Sequence, residues 1–216
     1  MPRWTPKPLW KNEDVFIIGG GASLRDFNWD LLILERTIGC NTAFTLGKDV
    51  CKICIFGDAK WFRKHERQLA QYAAAGGIVF TNCLAYQRSN IDWLWTLPRK
   101  PRGLGLNELG WNKNTGASAL NLALILGAKR VFLLGFDMHL SPDRKPNWHD
   151  QLIDKPNPKV YRDFILNFTY VAMDLKRLFP GREVINVTDD SDLDVFPKVG
   201  CSEFWTKRKG QKWQKR

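Results

Sequence analysis

Two uninterrupted apolar runs, each breaking into glycine, constrain this chain most. Val15-Phe16-Ile17-Ile18 follows Asp14 and breaks into Gly19-Gly20-Gly21, and Val131-Phe132-Leu133-Leu134 follows Arg130 and breaks into Gly135. A strand with one wet face alternates apolar and polar residues. A short unbroken run belongs to a strand covered on both faces, as in a parallel sheet. Further strand-like runs at 36–40, 52–57, 78–80 and 183–187 alternate with helical patterns at 59–75, 115–126 and 160–179. Glycines or a Pro-Gly pair close all three helices: Gly76-Gly77, Gly127 and Pro180-Gly181. This alternation predicts an α/β fold: a Rossmann-like, mostly parallel sheet with helices on both faces.

With 216 residues, 44% of them hydrophobic, the chain suffices for one domain, which buries roughly 70% of the unfolded surface. We expect a single domain over residues 1–205 and a basic tail over 206–216. Inside the domain, residues 84–114 are irregular and rich in Trp, Arg, Pro and Gly. Such an excursion is expected to serve as a lid or binding loop. The first ten residues have no apolar stretch of the kind an export signal needs, and no run approaches the ~18 apolar residues of a membrane span. The five cysteines are odd in number and scattered, which fits reduced thiols. These features predict a cytoplasmic protein without a membrane partner. Cys51 and Cys54 form a CxxC inside the expected strand at 52–57. Three residues apart in a strand, they would point to opposite faces, so no shared metal is expected.

The formal net charge is +11, and the tail carries Lys207, Arg208, Lys209, Lys212, Lys215 and Arg216 with no acid. Trp205 and Trp213 interleave with these cations. Cations beside aromatic rings suit phosphate contact and base stacking, so DNA is an expected partner, with Lys207, Arg208, Lys209, Lys212 and Trp213 as its contacts. A solvated basic end is the competing reading. Oligomeric state has no signature.

Most of the residues suited to chemistry fall at the ends of strands. Gly19, Gly20, Gly21 and Ser23 follow the first strand. Glycine lets backbone approach a phosphate, and Ser23 suits the N-cap of a following helix whose free N–H groups would face the anion. The motif lacks the Lys-Ser/Thr pair of a P-loop. Asn41 follows the second strand, facing the cleft where such sheets bind ligands; turn hydrogen bonding is its alternative role. Asn114-Thr115-Gly116 opens the alanine-rich helix and offers a second helix N-terminus, unless it serves only as a cap. Asp137 and Asp58 end strands and suit ribose hydroxyls or reacting groups. There is no DxD, so no obligatory metal is expected. His149, in the polar loop 138–158, is the natural general base near neutral pH. His65 and His139 read as structural.

Together these residues resemble glycosyltransferase family 42, sialyltransferases that use CMP-sialic acid, and the hydroxymethyldihydropterin pyrophosphokinase-like domain. The shared features are the strand and turn Val15 to Leu24, Cys40-Asn41, Thr115-Gly116, Lys129 to Asp137 and the downstream His149. The Gly-Phe-Asp-Met and Trp-His segments are also similar to uncharacterised bacteriophage proteins. The resemblance implies that Gly20, Gly21, Ser23 and Asn41 cradle a nucleotide, that Thr115, Gly116 and Asp137 line the same site, and that His149 is the base. Ala22 stands where the family has Pro, the family's phosphate-binding tyrosines have no match by position, and its membrane-associating segment has no room. The implied activity is glycosyl transfer from a nucleotide-activated sugar, with a hydroxymethylpyrimidine in phage DNA as acceptor. Residues 93–111 would then supply a wedge for base flipping, and the reaction would run in the host cytoplasm. The alternatives are a surface-glycan acceptor, a pyrophosphokinase-like transfer to a small heterocycle, and a non-catalytic nucleic-acid-binding module.

Overall fold

The computed structural model describes residues 7–149 and 157–213, with side chains through Arg208. The strands are β1 (Asp14–Ile18), β2 (Arg36–Cys40), β3 (Ile53–Phe56), β4 (Ile78–Thr81), β5 (Leu94–Thr96), β6 (Arg99–Lys100), β7 (Leu109–Gly110), β8 (Arg130–Leu134) and β9 (Glu183–Asn186). The α-helices are α1 (Ala59–Ala74), α2 (Thr115–Ile125), α3 (Lys159–Leu178) and α4 (Cys201–Trp213). Seven strands form one parallel sheet in the order β5-β4-β3-β2-β1-β8-β9. The fold is therefore the α/β, Rossmann-like arrangement expected from the alternation.

Both faces of the sheet are covered, which is why its strands read as unbroken apolar runs. Val15, Ile17, Val131 and Leu133 pack under α2 and α3 with Leu120, Phe168 and Val171. Phe16, Ile18, Phe132 and Leu134 pack under α1 and α4 with Phe62, Leu69 and Trp205. The chain runs outward from β1 to β5 on one side, then returns to place β8 and β9 on the other. The strand order thus reverses between β1 and β8, and a crevice opens beyond their carboxyl ends.

Three local expectations are corrected. First, residues 22–32 form two short 3-10 turns, Ala22–Leu24 and Trp29–Leu32, and not an α-helix; the first is capped by Gly21 and not by Ser23. Second, residues 84–114 are not a free lid. They supply edge strand β5 and the β6/β7 pair. The buried Asn121 on α2 accepts from the Gly105 and Gly110 amides (2.9 Å each) and donates to the Gly105 carbonyl (2.8 Å). Arg99 donates to the Asn82 and Gly57 carbonyls (2.8 and 2.9 Å) and lies 4.5 Å from the Trp111 ring. Polar side chains thus satisfy backbone groups of this segment and of the turns after β3 and β4. Third, Cys51 precedes β3, so it shares the α1 face with Cys54. Both are fully buried, and burial pushes the Cys51 thiol up to about 12, which keeps it an unreactive thiol.

The tail also departs from expectation, because its first half belongs to the fold. Trp205 is buried and stacks on Phe16 with centroids 5.3 Å apart. Arg208 turns inward over Phe16 and donates to Asp14 (2.9 Å) and Glu35 (2.7 Å), while Arg130 holds Asp14 from the other side (2.8 Å). These acids lie at the amino ends of β1 and β2, so the C-terminal half of α4 sits roughly 16 Å of strand away from the crevice, at about 3.3 Å per residue. Trp205 and Arg208 are therefore not available for base stacking or phosphate contact. Lys207 is exposed and pairs with Glu203 (2.5 Å). The side chains of Lys209, Lys212 and Trp213, and residues 214–216, lie outside the described residues.

Burial raises the Asp14 carboxyl, but the hydrogen bonds and charges of Arg130 and Arg208 outweigh it and hold the group below its ordinary value. Its stabilisation is therefore complete above the unfolded pKa and fades as pH falls through the folded one. Arg208→Ala should cost about 3 kcal/mol, because it leaves the buried Glu35 carboxylate without its guanidinium. Asp14→Asn should flatten the loss of thermal stability between about pH 5 and pH 2. Thermal denaturation across that range checks both.

Candidate functional site

The crevice at the β1/β8 reversal encloses about 400 Å³. Its floor is the turn after β1, the turn after β8 and the turn after β2. Its walls are the first turn of α2, the loop after β8 and the first turns of α3. Of the residues singled out from sequence, Gly19, Gly20, Gly21, Asn41, Thr115, Gly116, Asp137 and His149 line it together.

The glycine-rich turn is tied down by its own amides. Gly19 N–H donates to the Leu134 carbonyl (2.8 Å) and Gly21 N–H to the Gly135 carbonyl (2.9 Å). Ser23 does not cap a helix. Its N–H and hydroxyl both donate to the Asp137 carboxylate, at 2.9 and 2.6 Å. Asp137 is buried, so it acts on the site by stapling the turn to the end of β8. Gly21 is required by this close approach: a Cβ there would fall on the Asp137 carboxylate and 2.6 Å from the Gly135 oxygen. The carbonyls of Gly19 and Gly20 accept from the indole and the backbone N–H of Trp148, at 3.0 Å each. Among the described residues, the Gly20 N–H donates to nothing, and it lines the crevice.

Across the crevice, Asn114 caps α2 by accepting from the Ala117 N–H (3.1 Å). The Thr115 and Gly116 amides ahead of it stand at the positive end of the helix. Asn41 sits at φ +50, a left-handed conformation that Asn tolerates. Its Oδ1 is buried with no hydrogen-bond partner, an arrangement that costs about 1–3 kcal/mol until a donor arrives. Asp58 does not line the crevice. It caps α1 by accepting from the Trp61 N–H (2.8 Å).

Several lining residues were not singled out from sequence. Lys113 precedes the α2 cap. Trp61 lies one turn into α1, and Tyr161 and Phe164 open α3. Tyr161 reaches the crevice from a helix whose obvious stripe points to the core. Burial, and then the Asp137 charge, push its phenol up. His139, read as structural, also lines the crevice. The carbonyl of Leu140 holds Nδ1 (2.9 Å), and that bond, opposed by burial and aided by Asp190 and Asp192, raises its pKa. The signal for His139 was its place two residues beyond a strand-end aspartate. Among the described residues, no group of three or more His, Cys, Asp or Glu is placed to hold a metal, and no helix is long and apolar enough to cross a membrane.

Compared as a sequence, the chain matches no family profile and no curated protein. Compared as a structure, it is similar to the sialyltransferase CstII from Campylobacter jejuni in complex with the substrate analogue cytidine-5′-monophosphate. The TM-score is 0.55 and the identity 13%, covering 88% of this chain and 85% of that one. A variant of Cst-II in complex with CMP gives a TM-score of 0.51 at 12% identity, covering 86% and 85%. The Maf glycosyltransferase from Magnetospirillum magneticum gives 0.63 at 13% identity; the match covers 92% of this chain and 35% of that longer one. These likenesses establish that the chain has the sheet-and-crevice fold on which those glycosyltransferases are built.

Proposed function

We propose that the protein is a glycosyltransferase that takes its sugar from a nucleotide-activated donor, with the crevice arranged as in family 42. One observation carries the reading: the Gly20 amide, the α2 N-terminus, the unpartnered Asn41 oxygen and His149 converge on one crevice at the sheet's reversal point. Fold neighbours that hold CMP support a nucleotide there. The Gly20, Thr115 and Gly116 amides hold the leaving phosphate, with Lys113 beside them. Asn41 Oδ1 accepts from an N–H or O–H of the nucleoside. The acceptor oxygen bonds to the anomeric carbon as the bond to phosphate breaks. The acceptor proton passes to His149, and the electron pair leaves with the nucleotide. Fixed amides aimed at the phosphate stabilise the charge that develops on it. Asp58 has no part in this scheme, and Asp137 acts through Ser23.

Ligand-dependent thermal shift across nucleoside mono- and diphosphates, followed by mass spectrometry with the matching sugar donors, tests the proposal. The true leaving nucleotide should raise the melting temperature in proportion to its occupancy. No stabilisation by any nucleotide would defeat it.

The acceptor is a second question. A hydroxylated pyrimidine in DNA draws support from the net charge and the remaining tail cations, though Arg208 and Trp205 belong to the core of the fold. Truncation after Arg208 keeps the Trp205 and Arg208 contacts and removes Lys209, Lys212, Lys215 and Arg216 together with Trp213. If DNA is the acceptor, truncation should weaken DNA binding and lessen its salt dependence, while nucleotide binding is unchanged. Equal affinities and slopes would favour a glycan or small-molecule acceptor.

A further inference from the structure

We infer that Trp148 is a positioning residue: it fixes His149 over the crevice by clamping the loop that carries it to the glycine-rich turn. The inference rests on the reading of His149 as the base. The loop after β8 is polar, and His139 ties its start to the Asp190 carbonyl (3.3 Å). Ser141 and Lys145 close one turn (3.1 Å), and an exposed Arg25–Asp143 pair (3.3 Å) touches it from outside. None of these reaches His149.

Trp148 does, and from three directions. Its backbone N–H donates to the Gly20 carbonyl and its indole N–H to the Gly19 carbonyl, at 3.0 Å each. Its ring packs on Trp29, centroids 5.1 Å apart, joining the core cluster beneath Phe16. The His149 ring meets it edge to face at 4.9 Å and 86°. Two hydrogen bonds to adjacent carbonyls fix both translation and rotation of the indole, and the imidazole is set against that plane. The same residue therefore locks the base and the Gly20 peptide into one frame, 129 residues apart in the chain. A general base works only when it is held within hydrogen-bond reach of its proton, and about 1 Å of misplacement can cost 10²-fold.

The test compares wild type, Trp148→Phe and Trp148→Leu by turnover, nucleotide affinity, melting temperature and the NMR titration of the His149 imidazole. Trp148→Phe keeps the ring and the backbone bond and loses one side-chain hydrogen bond, so turnover should fall about tenfold or less. Trp148→Leu loses the plane as well, and turnover should fall about 10²-fold with nucleotide affinity within about threefold. The His149 titration midpoint should move in the leucine variant and stay near wild type in the phenylalanine variant. A purely structural role would lower the melting temperature and leave the midpoint and the per-molecule turnover alone. Wild-type turnover or an unmoved His149 midpoint in Trp148→Leu would overturn the inference. If the wild type transfers no sugar at all, the reading of the site fails, and the His149 midpoint and the Gly19 and Gly20 amide shifts still decide whether the clamp exists.

Discussion

His149→Ala should lower turnover by about 10²–10⁴-fold while nucleotide affinity stays within about threefold. The split follows from the geometry. The groups proposed to hold the nucleotide, Gly20, Thr115, Gly116 and Asn41, lie on the turns after β1 and β2 and on α2, whereas His149 comes from the loop after β8. In the proposed scheme, removing the imidazole takes away the proton acceptor and leaves those groups untouched. Turnover should also fall in acid for the wild type, because a protonated imidazole cannot accept, and this limb should vanish in the variant. Steady-state kinetics over pH with direct nucleotide titration measures both quantities. Near-wild-type turnover would assign proton transfer elsewhere, with His139 the next imidazole on the crevice wall.

Gly21→Val should unfold or severely destabilise the protein, by about 3–5 kcal/mol. The reason is internal to the chain. A Cβ at Gly21 collides with the Asp137 carboxylate and the Gly135 carbonyl. Relief requires the turn to swing off β8, which breaks both Ser23–Asp137 hydrogen bonds. A buried carboxylate left without its donors is among the costliest single changes. Gly20→Ala is the informative contrast. Its Cβ would meet only the Asn147 side chain, at 3.0 Å, so that variant should fold. Its added methyl narrows the crevice beside the free Gly20 N–H, so nucleotide affinity should fall. Urea denaturation of the two variants, with nucleotide titration of Gly20→Ala, separates the roles. Equal stability of Gly21→Val and wild type would show that the turn does not need this close approach.

Local sequence carried much of the architecture because its signals are local. A short unbroken apolar run bounded by glycine suits a strand sealed on both faces, and the runs ending at Ile18 and Leu134 mark the neighbours β1 and β8. The helix-closing glycines and the alanine-rich α2 were legible for the same reason. Strand ends named Gly19, Gly20, Gly21, Asn41 and Asp137 on the crevice, since the carboxyl edge of a parallel sheet is where such residues gather. What stayed hidden was pairing across long sequence separations. Nothing near residue 208 announces that its guanidinium belongs to Asp14 and Glu35, 194 and 173 residues away. The string Lys207-Arg208-Lys209 looks like a uniform basic face, and only packing tells the buried cation from the exposed one. Residues 84–114 lack periodicity because their strands are only two or three residues long and the backbone at Gly105 and Gly110 is bonded by the Asn121 side chain. Asp58 and Asp137 read alike as strand-end acids. Tertiary structure made one the cap of α1 and gave the other to Ser23, because the partner that arrives decides what a carboxylate does.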